Sequence, residues 1–232
     1  MKSNSLTPIV DGLVWIHERH LWFSGVKLRA RCTVIRLEDG SLLLHSPAPL
    51  TPQLADELRA LGPVRWLMVP NRFHHLATPA AAKFYPDAKV VGPSSVLEKN
   101  KSLKLDVDIH SGDFGARVPE LELLPLRGVP FLDETVVFHK PSHTLIGADI
   151  AMSARANDHW TWRIAGRVTG CYDKLRLPPD VRRKIVDKGA AARSIDAIKT
   201  TPAHRLLVAH TDVVDAGWAD ALAEAWRLVG VA

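Results

Sequence analysis

The stretch Val69-Pro70-Asn71-Arg72-Phe73-His74-His75-Leu76 places two adjacent histidines just beyond the apolar run Trp66-Leu67-Met68-Val69, which reads as a buried strand. Two later apolar runs end in similar fashion. Leu145-Ile146-Gly147-Ala148 leads to Asp149, and Leu206-Leu207-Val208-Ala209 leads to His210. Layered α/β folds gather ligand sites at the carboxyl ends of their strands. Three strand ends carrying His, Asp and His can therefore converge on one sheet edge. The expectation is that His75, Asp149 and His210 lie within about 8 Å of one another, near enough to share an ion.

Outward from that stretch the chain alternates strands and helices. Leu13–Ile16 reads as a short first strand. Lys27–Arg36 and Ser41–His45, joined by the turn Glu38-Asp39-Gly40, form a hairpin signature. Thr51 is a good N-cap with Pro52 at the first helical position, and Gly62-Pro63 stops the helix. Val64–Val69 follows as a strand. Thr78-Pro79 and Pro93-Ser94-Ser95 open short helices on either side of an Ala88–Val91 strand. This βαβα order points to a partly parallel sheet. Strands are next expected over Glu120–Leu126, Glu134–His139 and Thr144–Ile150. A long helix is expected from Pro179 to Lys199, then a strand over Arg205–Ala209 and a helix from Trp218 to about Leu228. The expected architecture is two mixed sheets flanked by helices.

Composition narrows the class. The chain has 232 residues, 47% hydrophobic and 24% charged, which suits a globular domain with a sizeable core. The net charge of +5 permits anionic partners. No basic stripe with a groove-reading element appears, so nucleic acid is not an expected partner. No apolar run nears the ~20 residues of a membrane helix, and Met1–Ser5 is not followed by a signal-type core. The two cysteines, Cys32 and Cys171, lie too far apart in sequence to form a metal-ligand pair, and Cys32 falls in a strand. The reading is a cytoplasmic protein without a membrane partner, acting on a small molecule, with its oligomeric state open.

Several phrases carry a family resemblance. They are Thr33-Val34-Ile35-Arg36-Leu37, Leu43-Leu44-His45-Ser46-Pro47, Leu61-Gly62-Pro63-Val64, Pro70-Asn71 with His74-His75, Tyr85-Pro86-Asp87-Ala88, Ser142 with Thr144-Leu145-Ile146 and Asp149, and Ala209-His210. Together they resemble the metallo-β-lactamase fold, and most closely its DUF4336 branch. The resemblance implies a single domain over residues 1–232, a four-layer αββα sandwich of two mixed sheets. It also implies a metal site, here with missing ligands. The wider fold carries a His-x-His-x-Asp-His signature after a strand. Against it, neither register of Asn71 to Leu76 restores the set, and no histidine falls near Arg127-Gly128-Val129-Pro130. Asp149 and His210 match the later Asp and the last His.

Each candidate has a plain alternative. His74 and His75 can simply bond backbone in a loop, Asp149 can be a turn aspartate, and His210 a satisfied core histidine. As ligands, one of His74 and His75 joins Asp149 and His210 to give three protein groups, the number a catalytic Zn²⁺ site needs. Zn²⁺ or Fe²⁺ suits these N/O donors equally. Asp149 and His75 are then the catalytic candidates. Asn71 and Arg72 are the substrate-binding candidates, Arg72 through bidentate bonds to an anionic group. His45 is a strand-end histidine near the site, and His159, Trp160 and Trp162 read as either a lid or edge packing. Asp106, Asp108, His110 and Asp113 read as a solvated loop. Two functional readings follow. One is an atypical metal-dependent hydrolase holding one Zn or Fe ion. The other is a metal-free, catalytically inactive binding or scaffold protein on the same fold.

Overall fold

A computed structural model describes residues 5–230; residues 1–4 and 231–232, and with them part of the leader reading, lie outside the described residues. The chain forms two compact units. The first takes the chain up to Arg19, Arg31–Glu122 and Lys140–Ser142; the second takes His20–Ala30, Leu123–His139 and the chain from His143 on.

The first unit is built on a seven-stranded mixed sheet whose strands lie in chain order. They are β1 (Thr7–Val10), β2 (Val14–Phe23), β3 (Val26–Arg36), β4 (Leu42–His45), β5 (Val64–Met68), β6 (Lys89–Gly92) and β7 (Val107–Asp108). The first expected strand is thus longer, and β1 precedes it. The β3–β4 hairpin is antiparallel, whereas β4, β5, β6 and β7 run parallel. Helices α1 (Pro52–Leu61) and α2 (Thr78–Phe84) make the parallel crossovers. Thr51 caps α1 by accepting from Leu54 N at 3.1 Å. Gly62 ends it because a Cβ there would sit 2.5 Å from the Gly40 carbonyl oxygen. Leu54 and Leu58 of α1 pack with Val34, Leu44, Leu67 and Val90 in one core. Asp106, Asp108, His110 and Asp113 belong to ordered structure: Asp106 accepts from Val90 N, and Asp108 caps a 3-10 turn that leads into α3 (Asp113–Arg117).

The second unit carries a four-stranded sheet in the order β11, β10, β9, β8. These are β8 (Leu121–Pro125), β9 (Thr135–His139), β10 (Thr144–Ile146) and β11 (Arg205–Leu207). β9 and β10 are antiparallel; β10 and β11 are parallel. Both β10 and β11 end earlier than expected, because Gly147 N donates to Leu207 O and Ala209 N to Ala148 O, continuing the pairing as loop. Trp160–Thr169 is a helix, α4, with His159 as its N-cap. The long helix expected from Pro179 to Lys199 is two, α5 (Pro179–Arg183) and α6 (Lys188–Lys199). The backbone N–H groups of Val186 and Asp187 turn aside to the Gly128 carbonyl, and Asp187 caps α6 at Ala190 N. Helix α7 (Trp218–Trp226) stops slightly short of Leu228 and continues as a 3-10 turn. Among the described residues no helix is long and apolar enough to cross a membrane.

Candidate metal centre

In the first unit, the chain leaves β5 and must turn before α2. Asn71 makes that turn. Its side chain is fully buried, and its Oδ1 accepts from Phe73 N at 2.8 Å and His74 N at 3.0 Å. An Asn side chain that replaces a backbone acceptor in this way fixes an Asx turn. The turn sets the two histidine rings apart. His74 Nδ1 lies 2.6 Å from the Ser46 hydroxyl, on a residue held at φ 56 beyond the end of β4. His75 Nδ1 lies 3.3 Å from Asn100 Nδ2. Asn100 Oδ1 receives Ser102 N and Oγ, so its NH₂ faces the ring and His75 Nδ1 is an acceptor. The His75 proton then sits on Nε2. A hydroxyl can donate or accept, so His74 is free of that constraint on its tautomer. Burial, then the neighbouring His74 and Lys99, push the His75 pKa below its ordinary value. His45, at the end of β4, is pushed down to about 3, mainly by burial and then by His74.

The second unit brings Asp149 and His210 together by strand register. Ile146 of β10 pairs with Leu207 of β11 in parallel, and each ligand candidate lies three residues further on. Equal offsets from a parallel pair put the two side chains next to each other. His210 Nε2 is 3.1 Å from Asp149 Oδ1, and both residues are buried. His210 Nδ1 is 2.5 Å from the Arg29 carbonyl oxygen. A carbonyl only accepts, so Nδ1 carries a proton. In a neutral ring Nε2 would then turn its lone pair toward a carboxylate. A proton shared between the ring and the carboxyl group relieves that clash, and so does a cation bound by both groups. A separation of 3.1 Å suits two ligands each about 2.0–2.2 Å from one Zn²⁺. The donor set therefore fits an ion.

Three residues that the sequence reading passed over hold this half in place. Buried Glu134 accepts from Ala148 N at 2.7 Å and Asp149 N at 2.8 Å, fixing the loop that presents Asp149. Arg29, whose carbonyl orients His210, bonds Asp158 at 3.1 Å and also pairs with Asp212. Asp158 in turn accepts from Arg155 N at 2.7 Å. A buried carboxylate or arginine demands partners, but sequence alone does not say which partners are met. Of the other candidates, Arg72 pairs with Glu98 at 2.6 Å, Trp162 is buried, and Trp160 is exposed.

Comparison with known proteins agrees with this architecture. Residues 11–160 match the family described as Domain of unknown function (DUF4336). Among solved structures, a metallo-β-lactamase from Pontibacter korlensis is similar, at 14% identity and a TM-score of 0.65, covering 96% of this chain and 98% of that one. The metallo-β-lactamase FIM-1 from Pseudomonas aeruginosa, in its mono-zinc form, gives 13% identity and a TM-score of 0.66 over 98% and 96% of the two chains. A metallo-β-lactamase from Erythrobacter litoralis with β-mercaptoethanol in the active site gives 13% and 0.68 over 96% of both. No curated protein matches. At such identities the structural likeness establishes the fold, two mixed sheets with helices of the metallo-β-lactamase type. With the family model spanning well over half its length, the chain belongs to the DUF4336 family.

Proposed function

We propose that this chain is an atypical metal-dependent hydrolase in which His74, Asp149 and His210 hold one Zn²⁺ or Fe²⁺ ion. Two imidazoles and a carboxylate form a donor set of the right kind and number. The observation that carries the reading is the His210 ring, whose protonated Nδ1 on the Arg29 carbonyl leaves Nε2 facing the Asp149 carboxylate. Ligating histidines are usually oriented in this way by a bond at the other nitrogen. His74 is preferred to His75 because the Ser46 hydroxyl can accept its Nδ1–H, whereas Asn100 leaves the proton of His75 on Nε2.

Bound there, the ion would act as a Lewis acid on an ester, amide or phosphoester and lower the pKa of water. The chain's own groups do the rest. Asp149 orients the attacking water and takes its proton. His75 offers its Nε2–H to a substrate oxygen. Arg72 exchanges the exposed Glu98 for an anionic group of a small-molecule substrate, on the loop that Asn71 sets. This reading treats residues 1–232 as one domain, supported by structural matches that span nearly the whole chain. A cytoplasmic setting belongs to it as well, supported by two free, buried cysteines.

The competing reading, a metal-free binding protein, rests on the same pair: a proton held between His210 and Asp149 satisfies both without an ion. Chromogenic ester, amide and phosphodiester substrates separate the two. Turnover that a chelator abolishes and added Zn²⁺ or Fe²⁺ restores supports the hydrolase. Absence of turnover with every metal tested favours the binding protein.

A further inference from the structure

The second unit exposes an apolar face. Along α4, Trp160, Ile164 and Val168 follow one another at four-residue spacing and are 62%, 55% and 82% exposed. The opposite side of the same helix buries Trp162 and Gly166. An amphipathic helix normally turns its apolar side inward. Here α4 has a second apolar side that the described residues of the second unit leave exposed.

The tip of the β2–β3 hairpin adds to this face. Trp22 and Phe23 are 62% and 50% exposed. The tip is fixed against α4. Leu21 and Val26 pack with Leu28 and Trp162, and Lys27 N donates to Thr161 Oγ1 at 3.0 Å. The Trp22 ring meets the His159 ring edge-on at 5.6 Å, and His159 in turn neighbours Trp160 at 5.7 Å. The five exposed side chains thus belong to one packed substructure.

Charge identifies the occupant. No Asp or Glu occurs from His159 to Cys171, or from His20 to Leu37. Lys27, Arg163 and Arg167 border the apolar residues, and among the described residues none is paired with a carboxylate. A second copy of the chain would set these cations against their own kind. Nucleic acid would meet the charge and could stack on Trp22, Phe23 or Trp160, but it would leave the aliphatic Ile164 and Val168 without an apolar partner. Tryptophan, phenylalanine and aliphatic side chains bordered by Arg and Lys match the headgroup boundary of an anionic lipid surface.

We infer that α4 and the β2–β3 hairpin tip form a docking face for an anionic membrane surface, with Trp22, Phe23, Trp160, Ile164 and Val168 entering the interface and Lys27, Arg163 and Arg167 meeting lipid phosphates. This is attachment from one side, distinct from a spanning helix.

Co-sedimentation of the full chain with mixed phosphatidylglycerol–phosphatidylcholine vesicles tests the assignment. The chain should bind these vesicles, bind phosphatidylcholine alone weakly, and release as salt rises. The variants W22S/F23S and I164S/V168S should each weaken binding about tenfold or more, given the apolar surface removed. K27Q/R167Q should remove most of the preference for the anionic lipid. All these positions are outside the core, so unchanged thermal melting separates lost docking from misfolding. The inference fails if the chain does not sediment with the mixed vesicles, or if the apolar variants bind as well as the parent. It also fails if the same residues instead drive dimerisation without lipid, or bind a single-stranded oligonucleotide that vesicles do not displace.

Discussion

The residues proposed as ligands are held by different physics in the two units. Asp149 and His210 are placed by parallel strand register, with equal three-residue offsets from the Ile146–Leu207 pair. They are backed by Glu134 below one and the Arg29 carbonyl behind the other. The His74–His75 loop is set by a turn: the buried Asn71 carboxamide fixes its backbone, Ser46 bonds the His74 ring and Asn100 the His75 ring. A ligand placed by register moves only if the sheet moves. A ligand placed by a turn can be lost with one side chain.

Acid should break the comparison most severely. His45 and His17 of the first unit are both buried with lowered pKa values, His45 to about 3. In each case burial is the main cause. The unfolded chain takes up their protons near pH 6.5 and the folded chain resists. Their stabilisation is therefore complete above pH 6.5 and is lost as pH falls below it, for His45 down to about 3. For His45 the loss is on the order of 4 kcal/mol. Urea denaturation followed across this range should show the decline, and His45→Leu should flatten it.

Asp158→Ala should come next. Arg29 and Asp158 are both almost fully buried, and removing one partner of such a pair costs about 3–5 kcal/mol. Asp212 remains to Arg29, so the lower end is expected, together with weaker metal binding through the displaced carbonyl on His210. Asn71→Ala should cost less, about 1–3 kcal/mol for the lost acceptor of two N–H groups. Its effect on metal affinity should nevertheless match or exceed that of Asp158→Ala, because the Asn71 turn presents His74 itself, whereas Asp158 acts on His210 only through Arg29. If Asn71→Ala leaves affinity intact, the contrast between the halves is wrong. The smallest effect concerns Cys32. Burial pushes its thiol up to about 12, so it should not react with a thiol reagent until the chain unfolds.

Sequence alone exposed the two halves unequally. The strand ends at Asp149 and His210 were legible because short apolar runs stopping at a polar residue are what parallel strands leave behind. The helix from Pro52 was legible from its cap and its Gly62 stop. Which of His74 and His75 could ligate was not legible, since the answer lies in contacts with Ser46 and Asn100, distant along the chain. The break between α5 and α6 depends on the Gly128 carbonyl, equally remote. His159, Trp160 and Trp162 read as either a lid or edge packing, and only the structure separates buried Trp162 from exposed Trp160. That separation also uncovered a surface absent from the composition-based expectation of no membrane partner.

The central claim is that His74, Asp149 and His210 share one ion. Elemental analysis of the purified chain beside His74→Ala and His210→Ala tests it most directly. Close to one equivalent of Zn or Fe is expected in the parent and little in either variant, since two remaining ligands are too few for a stable site. The retained metal should also fall in acid, because protons compete with the ion for the histidine nitrogens. A parent chain without metal, whose melting temperature does not rise on addition of Zn²⁺ or Fe²⁺, would contradict the claim, because an ion specific to the folded state must stabilise it.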